Sequence, residues 1–120
     1  MTNMEIWDRE FELEVVFDCY KGEEILPKQR DALALFCSDK KMIKDSRSEV
    51  EKYCIERDSD KIKTTKIDNI FKYVIPETIY IARDGRVALM CRYRFDVDHG
   101  IAIVFKDGKL EEIGNQDIVL

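Results

Sequence analysis

The chain has one histidine, one tryptophan, two prolines and five glycines in 120 residues. A single histidine and four scattered cysteines (Cys19, Cys37, Cys54 and Cys91) with no C-x-x-C pair argue against a zinc site of the usual Cys/His type. Of the five glycines three are used in hairpin turns or the corner, and no Gly-rich phosphate-cradling loop occurs. No G-x-S-x-G elbow or helical H-E-x-x-H occurs either. No apolar run approaches the length of a membrane span. The start, Met1-Thr-Asn-Met-Glu-Ile-Trp-Asp-Arg-Glu10, carries acids where a secretory signal needs bases and an apolar stretch. Each cysteine falls at an apolar position of its segment, as a free thiol acting as a small hydrophobe does. That usage suits a reducing compartment, and the expected location is cytoplasmic.

What is present is ordinary globular material. A hydrophobic fraction of 45% can fill one core in a chain of this length, and a charged fraction of 38% implies a heavily solvated surface. The formal charge of −5 is uneven. Residues 1–26 hold most of the excess acid, residues 27–72 are mildly basic, and residues 73–120 are mildly acidic. Without a coherent basic face, nucleic acid is not an expected partner. A basic protein is a natural one.

Phe11, Leu13, Val15, Phe17 and Cys19 alternate with Glu12, Glu14, Val16, Asp18 and Tyr20, the period of a half-buried strand. Pro27 can open a helix, since its missing N–H costs nothing in the first turn. Gln29, Leu33, Phe36, Cys37 and Lys40 would share one side of it. Asp45 or Ser46, with Glu49 in capping-box spacing to Ser46, would start a second helix whose face carries Val50, Tyr53, Cys54 and Arg57. Residues 56–66 are charged and aperiodic, and read as a loop or a frayed helix end. Ile67, Ile70, Phe71 and Val74 suggest one or two helical turns stopped by Pro76.

Four strands follow, over 78–82, 86–95, 101–105 and 109–113, with hairpin turns at Arg83-Asp84-Gly85 and Lys106-Asp107-Gly108. If Gly85 is a bulge, Ile79 and Ile81 stand opposite Leu89 and Val87. Ile79, Ile81, Val87, Leu89, Cys91 and Tyr93 then share one face. The second hairpin does not choose its register by that test. The expected architecture is a single α+β domain over residues 1–120. It has an antiparallel four- to five-stranded β-meander sheet, an N-terminal strand, and two or three helices packed on one face.

Asp96, Asp98 and His99 form the sharpest polar cluster. Two carboxylates and an imidazole can bind a metal or exchange protons. No further ligand is evident, and each residue has a structural use: the aspartates bond to turn N–H groups, His99 is a hydrogen-bonded corner, and Gly100 lets the chain reverse. The structural corner is preferred, so no catalytic residue, metal or cofactor is expected. Candidate partner contacts lie on the sheet instead. They are Trp7, Glu10, Glu12, Glu14, Tyr80, Met90, Arg92 and Arg94. Glu10, Glu12 and Glu14 could grip cations of a partner, or pair with Arg92 and Arg94 on a neighbouring strand. Trp7 could cover a core edge or be an exposed anchor. In the apolar ending, Ile118 and Leu120 should tuck against the body, with Asn115 and Asp117 bonding to turn backbone.

The C-terminal third resembles a family of small uncharacterised bacterial domains. Their signature is W-D-x-E-H-G, an apolar strand, a D-G hairpin and a closing G-x-x-D-x-x-L. The matching residues are Phe95-Asp96-Val97-Asp98-His99-Gly100, Ile101 to Phe105, Lys106-Asp107-Gly108, and Gly114 to Leu120 with Asp117 inside. Phe95 stands where the signature has Trp, and Asp98 where it has Glu. Some relatives lie near toxin–immunity gene clusters. The resemblance therefore implies a non-catalytic immunity-type inhibitor that neutralises a toxin by binding it; with the acid-rich first strand, the expected partner is a basic toxin domain, and the expected state is a monomer or weak homodimer. The competing expectations are a structural, self-associating module and a metal-dependent enzyme using Asp96, Asp98 and His99.

Overall fold

The computed structural model describes all of residues 1–120. Six strands form one mixed sheet: β1 (Thr2–Ile6), β2 (Arg9–Phe17), β3 (Val74–Ile81), β4 (Val87–Tyr93), β5 (Asp96–Lys106) and β6 (Lys109–Gly114), side by side in that order. Two helices, α1 (Pro27–Ser38) and α2 (Lys40–Arg57), occupy the connection between β2 and β3. That connection makes β2 and β3 parallel, whereas every other neighbouring pair is antiparallel. The expected antiparallel meander is β3 to β6, but the sheet as a whole is a mixed one of six strands rather than an antiparallel one of four to five. Parallel neighbours need a long crossover, and the helical segment supplies it.

The extra strand is β1. Its Met4 and Ile6 point into the core while Asn3 and Glu5 face solvent. A two-residue turn, Trp7-Asp8, joins it to β2 with φ of 50° and 69°, the geometry that matches the twist of paired strands. Trp7 is a costly residue at positive φ, and burial holds it there. It is 3% exposed, and its Nε1–H donates to Ser46 Oγ at 3.1 Å.

Helix α1 begins at Pro27 as expected. Gln29, fully buried, knits its start to the sheet. Its Oε1 accepts from the Leu26 N–H at 2.9 Å, and its Nε2 donates to the carbonyls of Asp18 and Ile81 at 3.0 and 3.2 Å. Helix α2 starts at Lys40, seven residues earlier than a cap at Ser46 would place it. Asp39 is the cap, its Oδ1 accepting from the Met42 N–H at 3.0 Å. Ser46 instead lies inside the helix, buried, bonded to Trp7 and to the Ile43 carbonyl. In the connection after α2, Ile62 is buried and anchors an otherwise charged stretch. The expected turns before the meander shrink to a 3-10 turn over Ile70–Lys72, and Pro76 lies within β3, where the pairing register shifts.

In the first hairpin, Ile79 pairs with Leu89 and Ile81 with Val87, with Gly85 at φ 91°. The second closes on Asp107-Gly108, both at positive φ, and absorbs an extra residue at Glu111 between the Phe105–Leu110 and Val104–Glu112 pairs. Strand β5 begins at Asp96 rather than at residue 101. Between its pairs Tyr93–Asp96 and Cys91–Ile101 it carries a long bulge.

The main core lies between the helices and the inner sheet face, with Phe36, Ile43, Val50 and Cys54 set against Ile79, Ile81, Leu89, Tyr93, Ile101 and Ile103. A smaller cluster occupies the opposite face. Ala88, Met90, Ala102 and Val104 are covered there by Ile118, the last residue of a 3-10 turn over Gln116–Ile118, and by Val119 after it. Of the expected tail contacts, Ile118 packs but Leu120 is exposed, and Val119 takes the buried place. Asn115 Oδ1 accepts from the Asp117 N–H at 2.9 Å, whereas the Asp117 side chain makes no such bond. No helix is long and apolar enough to cross a membrane.

Candidate functional site

Most of the residues singled out by the sequence lie on three surfaces: the β4–β5 corner, the outer face of the N-terminal hairpin, and the end of β4 that runs into the corner. At the corner, Asp96 is shared. Its Oδ2 accepts from Arg57 Nη2 at 2.8 Å, and its Oδ1 takes the His99 N–H at 3.2 Å and faces His99 Nδ1 at 3.1 Å. The bond from Arg57 holds the Asp96 carboxyl below its ordinary value, and Asp96 in turn raises the His99 imidazole. Asp98 makes no side-chain bond, contrary to the turn-bonding role expected of it. No three His, Cys, Asp or Glu side chains come together as a metal set.

Behind Asp96 the network runs inward. Tyr93 OH donates to Asp58 Oδ2 at 2.5 Å, with Arg57 Nε and Lys61 Nζ each 3.7 Å from the Asp58 carboxylate. The Arg57 guanidinium lies 5.2 Å over the Tyr93 ring, and Tyr93 meets Phe95 edge-on. Burial, and then the bond to Asp58, push the Tyr93 phenol up, and burial pushes the neighbouring Cys54 thiol up to about 12. A thiol held protonated is a poor nucleophile. The arrangement clamps the end of α2 to the corner, and Gly100 completes it. At φ 59° an added Cβ would collide with the Cys91 carbonyl oxygen.

On the N-terminal hairpin, the pleat sends Glu10, Glu12 and Glu14 to the outer face, because their neighbours Phe11 and Leu13 face the core. Register adds Glu5, directly opposite Glu10, with Asn3 opposite Glu12. None of these four carboxylates forms an ion pair. The expected pairing with Arg92 and Arg94 does not occur. Strand β3 lies between β2 and β4, separating them by two strand spacings, roughly 10 Å.

The family comparison covers the whole chain. A single family model, Domain of unknown function (DUF6985), matches residues 1–120. The chain belongs to the DUF6985 family. No curated protein and no solved structure matches it. The remaining candidates of this DUF6985 domain divide clearly. Arg92 and Arg94 are exposed and line a shallow cavity of about 340 Å³ with Lys72, Tyr73, Ile75 and Val97. Tyr80 is half-buried beside Val16. Met90 and Trp7 are not available as contacts. Met90 is 7% exposed beneath the C-terminal residues, and Trp7 is sealed against α2.

Two residues of the DUF6985 domain were missed at the sequence level. Glu5 could have been found from the alternation Asn3, Met4, Glu5, Ile6. Asp58 could not. It sits in a charged run without periodicity, and only the fold brings Tyr93 to it.

Proposed function

We propose that this domain is a non-catalytic binding protein that receives a cationic protein partner on the outer face of the β1–β2 hairpin. The observation that carries the reading is the set Glu5, Glu10, Glu12 and Glu14, all on one face and none paired, with Glu5 set against Glu10. Opposed like charges cost a hairpin some tenths of a kcal/mol, and a bound cation removes that cost. Val16 and Tyr80, adjacent on the same face, offer apolar contact at the edge of the acidic strip. The finer reading, drawn from the resemblance to domains near toxin–immunity loci, is a bacterial cytoplasmic immunity-type inhibitor that neutralises a basic toxin domain. Unpaired carboxylates suit that task, because complementary charge accelerates encounter and rejects wrong partners.

The test is binding to the product of the adjacent gene, by co-purification and calorimetry at micromolar concentration and low salt. A complex is expected whose affinity falls with added salt and falls further in Glu10→Lys plus Glu12→Lys. Absence of a complex at low salt sinks the immunity reading. A complex indifferent to the double reversal sinks the assignment to the hairpin.

A further inference from the structure

Both ends of the sheet, β1 and β6, are open edges. At the β6 end the strand is paired with β5 alone, so the backbone groups on its other side have no partner in the fold. Helix α2 lies alongside it and leaves an open groove of about 550 Å³. Tyr53 from the helix, with Leu110 and Ile113 from the strand, forms an apolar floor. The rim is charged in one sense. Glu49 and Glu56 stand on α2 and Glu111 and Glu112 on β6, against the single Lys52, and none of the five is in an ion pair.

From this geometry we infer a second interaction site: the groove between α2 and the edge of β6 takes an extended, basic segment of another protein as an added strand. A sheet edge beside a helix supplies what strand addition requires. Main-chain hydrogen bonds hold the guest, and side-chain pockets on one side select its residues. The regular stretch Glu112–Gly114, paired residue for residue with Val104, Ile103 and Ala102, is the template. Alternate apolar side chains of the guest would pack on Tyr53, Leu110 and Ile113 on the helix side, and the lysines or arginines between them would point to the other face, where Glu112 stands opposite Val104, within the field of the remaining glutamates.

Charge also decides between occupants. Pairing β6 with β6 of a second copy across a two-fold axis brings Glu111 and Glu112 of one copy close to those of the other, which opposes self-association. The acids and the bulge at Glu111 thus guard the edge against its own kind. The same charge favours a cationic strand. The site is remote in sequence and in the sheet from the Glu5–Glu14 face, and it stands whether or not that face binds a partner.

The probe is a capped six-residue peptide of alternating lysine and valine, titrated into the full-length 15N-labelled domain and followed by amide chemical shifts. Perturbations are expected at Lys109–Gly114 and along the α2 face near Tyr53. Two controls make the result specific. The same peptide N-methylated at alternate residues keeps charge and apolar content but loses edge hydrogen bonds, and is expected to bind on the order of tenfold more weakly. Glu56→Lys plus Glu112→Lys, both exposed, is expected to weaken the parent peptide by a similar factor, while Glu10→Lys plus Glu12→Lys leaves it unchanged. Equal binding of the N-methylated peptide, or shifts confined to residues 5–14, overturns the proposal. So does a dimer in sedimentation that Glu112→Lys disrupts.

Discussion

Replacing Tyr93 by Phe isolates one bond of the corner network. The ring is fully buried, and Phe keeps its edge contact with Phe95 and its place beneath the Arg57 guanidinium. Only the hydroxyl is lost, and with it the 2.5 Å bond to Asp58. Asp58 is 8% exposed, so water replaces that donor poorly, and Arg57 Nε and Lys61 Nζ at 3.7 Å are too far to take its place as hydrogen-bond donors. A hydrogen bond to a charged group contributes about 1.5–3 kcal/mol, so a loss near 2 kcal/mol is expected. For a chain of this length the unfolding entropy is about 0.25 kcal/mol/K, which turns 2 kcal/mol into a fall in Tm of about 8 °C. Thermal and urea denaturation followed by circular dichroism measure it, with the urea slope unchanged. A double-mutant cycle with Asp58→Ala should recover most of the 2 kcal/mol as coupling. A fall in Tm below about 2 °C, or a cycle without coupling, would refute the idea that this bond holds the corner.

Gly100→Ala should cost about 2–4 kcal/mol, since the new Cβ meets the Cys91 carbonyl at positive φ. Gly22→Ala, with open space around it, should cost about 1 kcal/mol, and equal losses in urea denaturation would contradict the crowding. Trp7 should emit at short wavelength and resist acrylamide quenching. Trp7→Phe should lose about 1 kcal/mol with the bond to Ser46, and emission like that of free tryptophan would contradict its burial. His99 should titrate above 6.5 by NMR and return toward it in Asp96→Asn. Because its folded pKa is raised, its share of stability is present below the unfolded value and lost as pH rises through the folded one. Asp96 is shifted down, so its share is present above 3.8 and lost as pH falls through its folded value. The pair therefore stabilises most between those limits, and a His99 that titrates at or below 6.5 removes it.

Register was legible where two sheet faces differ in character. Around Gly85 one pairing collects Ile79, Ile81, Val87 and Leu89 on a single face, and the other scatters them. The N-terminal hairpin escaped because its turn, Trp7-Asp8, lacks glycine and is held open by a tertiary contact to Ser46. The start of α2 escaped for a related reason. Asp39 ends α1 and caps α2 at once, so no loop composition marks the boundary. Glu10, Glu12 and Glu14 were legible as a face because a period of two needs no tertiary information. Met90 has the same phase on its own strand, yet Val119 covers it, and a contact between residues so far apart leaves no local pattern. The groove beside β6 required strand order, which depends on where the crossover returns.

The acidic hairpin can be separated from ordinary surface charge by one substitution. A net charge of −5 keeps a small domain soluble wherever the charges sit. Solubility gives no reason to place Glu5 directly opposite Glu10 on neighbouring strands, where the two repel. Glu5→Lys converts that opposition into a cross-strand ion pair, which should stabilise the domain by roughly 0.2–1 kcal/mol and raise Tm by about 1–4 °C. If the face exists to meet cations, the same change should weaken the partner and steepen the loss of affinity with salt less than in the parent. Stability and binding should therefore move in opposite directions, the signature of charge kept for function rather than for folding. A variant that is both more stable and equally good at binding would show that the carboxylates are solvated surface and nothing more.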